Sequence, residues 1–330
     1  MENRVRLDYI DYAKGIGILL MVIGHYEYLN HAFMQWIFSF HMPMFFLFSG
    51  YLDYRFNLKT NANTYVKKRV YSLLVPYATF ALIVLALEFV IGKNRDIAHG
   101  LVSAFYYIED PGFWFFFLLF VTDIFFLLYR KIKQDWLKVF TLCTLFAISL
   151  LTAWDAAVFR TLPFKIHFWP SCFFYFVIGA LVAEKSPFFD SVIKTKKWIL
   201  GGAFLLLSVL VLLYVGLNDI YIWVFIARPH YALIALVGII FIIAIGIIID
   251  ESKLYFLKKV LKYCAVNAIV ICVFHSKIFW LVRTLDPLIG VDPTSWVSHV
   301  IVAISEIGLL IPTIYVFNRF SPFLVGKRKS

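Results

Sequence analysis

The chain has 330 residues, of which 62% are hydrophobic and only 15% charged, with a mean hydropathy of +0.84, and this excludes a water-soluble globular protein. A helix needs about 20 mostly apolar residues to cross a bilayer, so the apolar content supplies about ten spans and leaves no stretch for a separate soluble domain. Residues 1–330 therefore read as a single all-α, polytopic transmembrane domain.

Taken in chain order, apolar runs predict helices over 11–29, 33–52, 70–91, 113–129, 138–154, 168–184, 198–216, 231–249, 264–282 and 298–317. Asp8, Asp11 and Lys14 interrupt the first run, unlike a cleavable signal peptide, so that helix is expected to stay in the protein. In the second, Pro43 removes a helical hydrogen bond to the Ser39 carbonyl and predicts a bend just after His41. Cys143, Cys172, Cys264 and Cys272 all fall in apolar runs without CxxC or metal-ligand spacing, which predicts neither a disulfide framework nor a bound metal.

The net charge of +11 raises the question of a nucleic-acid partner, and the placement of the basic residues answers it. Of 31 Lys and Arg residues, 23 lie in alternate polar segments: Arg4 to Arg6, Arg55 to Arg69, Arg130 to Lys138, Lys185 to Lys197, Lys253 to Lys262 and Arg319 to Lys329. The intervening segments hold six, and Lys14 and Lys277 fall within helices. By the positive-inside rule this alternation predicts an even number of spans with both termini cytoplasmic. The excess is an orientation signal in a multi-pass protein of the plasma (inner) membrane, and no nucleic-acid partner is expected.

Ionisable side chains within spans are costly and mark candidate sites. Here they are Lys14, His25, His41, Glu88, Asp123, His275, Lys277 and Glu306. Lys14 and His25 are about three helical turns apart, which puts them on one helix face, separated by about 16 Å along the axis. A cation would thus sit below a titratable base, a geometry suited to a long anionic ligand. On these two residues alone, a snorkelling Lys with a structural His fits equally well. Gly15, Gly17 and Gly24 on the same helix favour close backbone packing or close ligand approach without choosing between them. Lys67, Lys68 and Arg69 read either as a lipid-facing orientation signal or as a phosphate site. Glu88, Asp123 and Glu306 have no partner assignable from sequence.

Asp11-Tyr-Ala-Lys14 through Gly24-His25, followed by Phe38-Ser-Phe-His41-Met-Pro43 and Ser49-Gly50-Tyr51, resembles the opening of the acyltransferase family 3 membrane proteins. The resemblance is nearest to their fucose 4-O-acetylase-like branch. It extends through Lys68-Arg69 before Pro76-Tyr77, Gly112-Phe-Trp114, Phe176-Val-Ile-Gly179, and Asn267 to His275. It implies a ten-helix enzyme that moves an acetyl group from cytoplasmic acetyl-CoA to a hydroxyl of a cell-surface sugar or its precursor. In the family, the residues matching Lys14 and His25 are the signature pair, and the basic motif of the third helix helps to hold the donor. Two positions depart from the pattern. Lys14 replaces the more frequent arginine, which keeps the charge but loses the bidentate fork, and Ser72 stands where a second arginine often follows.

These readings make His25 the general base, or alternatively an acetyl-carrying nucleophile, with His41 and His275 as secondary candidates that orient it or the acceptor. Lys14, Lys68 and Arg69 would bind acetyl-CoA as co-substrate, with Asp11, Ser49, Trp114 and Asn267 in support and no metal. Expected partners are a glycan or lipid-linked sugar and membrane lipid, with homo-oligomerisation open. A transporter or flippase, and transfer of another acyl group such as succinyl, are the competing readings.

Overall fold

The computed structural model describes residues 7–25, 31–90, 92, 96–108, 113–154, 162–185, 191, 198, 200–202, 205–206, 208–209, 229–285 and 296–325, and among them every regular element is helical. Helix α1 spans Asp8–Gly24 and opens with Asp8 and Asp11, whose carboxylates complement the positive end of the helix dipole. The next two elements are α2, His31–Phe38, and α3, His41–Asn57. The single span expected over 33–52 is therefore two helices, and the break comes at Ser39 and Phe40, before His41 rather than after it. Pro43 lies in the first turn of α3, where a backbone N–H has no helical acceptor, so it starts this helix instead of bending it.

Residues Ala62–Val90 run continuously as α4, Ala62–Arg69, a π-helical turn at Val70–Leu74, and α5, Val75–Val90. The π turn immediately precedes Pro76, which cannot donate to the Ser72 carbonyl, and widening the turn relieves the clash of its ring with that carbonyl. The short α6, Ile97–Val102, is capped by Asp96, which accepts from the Ala98 and His99 amides. Then come α7, Trp114–Tyr129; α8, Asp135–Trp154; α9, Trp169–Glu184; α10, Pro229–Glu251; α11, Tyr255–Val266; α12, Ala268–Leu285; and α13, Trp296–Phe320. Most of the helix expected over 198–216 lies outside the described residues.

Four described stretches are long and apolar enough to cross a membrane: Ala62–Val90, Asp135–Thr152, Pro163–Glu184 and Tyr231–Glu251. Helical backbone satisfies its own hydrogen bonds, which a lipid environment requires.

Two helices organise the packing. Helix α3 lies against α9 so closely that a Cβ on Gly50 would overlap the Phe176 carbonyl, and one on Gly179 would overlap that of Leu47. Helix α1 contacts α3, α10, α11 and α12. A Cβ on Gly15 would overlap the Leu261 carbonyl of α11, and one on Gly17 would overlap the Met44 side chain. Gly24 has Ile37 and Phe38 against it, so these α1 glycines serve packing. Around α3 and α9 the core is largely aromatic, with Phe46, Phe48, Phe80, Phe126, Tyr175 and Phe176 almost wholly buried.

Candidate active site

One side of α1 and one side of α3 enclose a cavity of about 440 Å³, completed by Arg69. Asp11 and Lys14 face it from α1; Ser49, Asp53 and Asn57 face it from α3. The α-helical repeat explains the α3 set, since Ser49, Asp53 and Asn57 stand four residues apart and so form one stripe. That spacing is visible in the sequence and could have flagged Asp53 and Asn57, which sequence reasoning passed over.

Behind the cavity, a polar network joins three helices. Arg69 places Nη2 on Asp53 Oδ1 and holds Nε 3.1 Å from Asp123 Oδ2 of α7. Tyr65 Oη donates to Asp123 Oδ1 at 2.9 Å, and Asn57 Nδ2 donates to Asp53 Oδ1 at 2.9 Å. Lys68 Nζ donates to Asn57 Oδ1 at 2.9 Å. Both carboxylate side chains are fully buried, a placement tolerable only with a compensating cation. Asp123, which has no partner legible from sequence, thus receives two. The Tyr65 ring lies 5.0 Å from the Arg69 guanidinium and 5.7 Å from that of Arg130. Arg130, read in the sequence only as an orientation charge, donates to the carbonyls of Leu58 and Thr60 and so ties the α3–α4 turn to the end of α7.

About 16 Å further along α1, His25 lies edge-on to His275 of α12, with ring centroids 4.9 Å apart. Phe38 packs against both His25 and His41, at 5.3 and 5.0 Å. The tertiary fold therefore gathers the three candidate histidines, two of them against Phe38 and the third, His275, against His25. Each directs Nδ1 at a carbonyl one turn back in its own helix or the one before it: His25 at Met21, 2.8 Å; His41 at Ile37, 3.1 Å; His275 at Ile271, 3.0 Å. A carbonyl oxygen only accepts, so Nδ1 carries the hydrogen, and the neutral ring presents its basic lone pair at Nε2.

The other sequence candidates fall elsewhere. Ser49 lines the cavity but spends its hydroxyl hydrogen on the Phe45 carbonyl, at 2.7 Å. Trp114 packs among Phe46, Phe115 and Phe168 and does not line the cavity. Buried Asn267 occupies the junction of α11 and α12, donating to the Tyr263 carbonyl at 2.8 Å and accepting from Asn318 of α13 at 2.9 Å. Among the described residues no group of three or more His, Cys, Asp or Glu side chains is arranged to hold a metal ion.

Membrane-length apolar helices surrounding buried ionisable side chains define a helical membrane protein with a polar interior site. The chain belongs to acyltransferase family 3, whose sequence model, described as "Acyltransferase domain", matches residues 7–315. It is also similar to the nodulation protein NolL of Mesorhizobium japonicum, at 26% identity over 200 residues, covering 57% of this chain and 51% of that protein. The chain thus spans about half the length of that curated relative. No solved structure matches it. The family match lies over nearly the whole of a chain whose described helices include four of membrane-spanning length.

Proposed function

We propose that this acyltransferase takes an acetyl group from cytoplasmic acetyl-CoA and places it on a hydroxyl of a cell-surface sugar or polysaccharide precursor, as in the fucose 4-O-acetylase-like branch. In this reading the chain crosses the plasma membrane ten times, with both termini in the cytoplasm. The observation that carries the proposal is the layout of α1: a cation-bearing cavity at Lys14, and His25 three turns on with its Nε2 lone pair available.

The long donor matches that separation. Lys14 at the cavity, with Lys68 and Arg69 beside it, attracts the phosphates of CoA, while the pantetheine arm carries the thioester towards His25. His25 Nε2 takes the proton of the acceptor hydroxyl as its oxygen attacks the thioester carbon. The C–S bond then breaks, the oxygen ester forms, and the proton passes to the leaving thiolate to give CoA. Backbone carbonyls hold the imidazole in the tautomer this step needs, the task an auxiliary carboxylate performs in other base-assisted acyl transfers.

Membranes carrying the wild-type chain should move label from acetyl-CoA into a glycan fraction, and mass spectrometry of surface glycans should show a gain of about 42 mass units per acetyl, the mass added when acyl transfer esterifies a hydroxyl. No such gain in any glycan, with the protein well expressed, would remove the proposal.

A further inference from the structure

His275 is 2% exposed, and its Nε2 has no hydrogen-bond partner. A buried polar atom without a partner is expensive and calls for a compensating role. Its Nδ1 is spent on the Ile271 and Cys272 carbonyls, both at 3.0 Å, so Nε2 is an acceptor in the neutral ring. The His25 ring beside it has the same arrangement, with Nδ1 on Met21 and Nε2 bare. Two neutral rings locked in this way, edge-on with centroids 4.9 Å apart, each keep a lone pair at Nε2 and cannot bond to one another. That changes when one of them gains a proton at Nε2, because it then becomes a donor on a ring adjacent to a buried acceptor.

We infer that His25 and His275 work as a dyad, in which His275 Nε2 accepts a hydrogen bond from the Nε2–H that His25 acquires when it deprotonates the acceptor hydroxyl. The dyad deepens the acyl-transfer reading above and rests on it. One proton enters from the hydroxyl, is held between the two Nε2 atoms while the tetrahedral intermediate exists, and leaves on the CoA thiolate, so the rings end as they began. Sharing the charge matters because the surroundings are apolar: Phe38 covers His25, and desolvation makes a lone imidazolium costly. The other titratable groups close to the pair are Lys277 on α12, whose ammonium has no lone pair to accept with, and His41 on α3, whose ring packs on Phe38; the His275 ring lies directly against that of His25. His275 is thus a positioning residue that acts through His25.

Three variants test this by their order. His275→Phe and His275→Leu remove the acceptor and suit a buried position in an apolar helix, whereas His275→Gln keeps an accepting oxygen but is the more polar burden. With radiolabelled acetyl-CoA as probe and glycan-bound label as readout, Phe and Leu should lower kcat by about 10- to 100-fold at unchanged KM for acetyl-CoA, and Gln should recover most of the loss. A purely structural His275 predicts the reverse order, with Phe and Leu at least as active as Gln. That order, or equal rates for all three, overturns the dyad while acyl transfer by the wild type stands. A wild-type chain that transfers no label overturns the acyl-transfer reading and the dyad with it.

Discussion

Arg69 Nε lies 3.1 Å from Asp123 Oδ2 while its Nη2 reaches Asp53, so one guanidinium closes two buried carboxylates brought from α7 and α3. The charges are unequal, with two buried acids beside one guanidinium, and Lys68 reaches the network through Asn57. Arg69→Met strands both carboxylates and should destabilise the protein by about 3–5 kcal/mol, the range for breaking a buried pair. Asp123→Asn leaves Arg69 its contact with Asp53 and keeps an acceptor for Tyr65, so its loss should be smaller. Thermal unfolding of the detergent-solubilised variants checks the order, and a milder Arg69→Met would contradict it.

Gly50 and Gly179 sit where α3 and α9 touch backbone to backbone, so neither can accept a methyl group without the helices moving apart. Either alanine variant should cost at least about 1–3 kcal/mol through overpacking. Gly308 on α13 has open space around its Cβ position, and Gly308→Ala should be neutral or slightly stabilising. Folded yield after solubilisation separates the two groups.

Lys14 is placed at the mouth of donor binding and His25 at the chemistry, so their variants should differ in kind. Lys14→Ala should raise KM for acetyl-CoA roughly 10- to 100-fold, the value of one charge-assisted contact, with a smaller change in kcat. An unchanged KM would end its role with the donor.

His25→Ala should lower kcat by about 10² to 10⁴, the usual contribution of a general base, with normal expression and little change in donor affinity. Full transfer by this variant would end its assignment as the base.

Asn267 bridges α11, α12 and α13 by its amide, donating to the Tyr263 carbonyl and accepting from Asn318. Asn267→Ala should therefore lower the unfolding temperature, at a cost of about 1–3 kcal/mol for the buried group left unpaired, and leave the kinetic constants of the folded fraction intact. A specific fall in kcat at unaltered stability would return Asn267 to the site.

How much of this was legible beforehand follows from the range of each interaction. Lys14 and His25 share a helix, and the helical repeat alone puts them on one face. The stripe Ser49, Asp53 and Asn57 is equally local in spacing, but the burial of Asp53 and Asn57 depends on what packs against α3. A proline in an apolar run reads locally as an interruption, whereas Pro43 occupies the first turn of α3 and serves as a helix start, so the break falls before His41.

Apolar runs of spanning length must satisfy their own backbone hydrogen bonds, so hydropathy alone dictates a helical, membrane-embedded chain whose polar interruptions are the places of interest. What those interruptions meet depends on how the helices pack. Arg69 and Asp123 are brought together from α4 and α7, and His25 and His275 from α1 and α12, by packing surfaces such as the bare glycine contacts of α1 and α3. Local periodicity fixes which face of a helix a side chain occupies. Which neighbour covers that face depends on shape complementarity between helices distant in the chain, and no single helix encodes that alone.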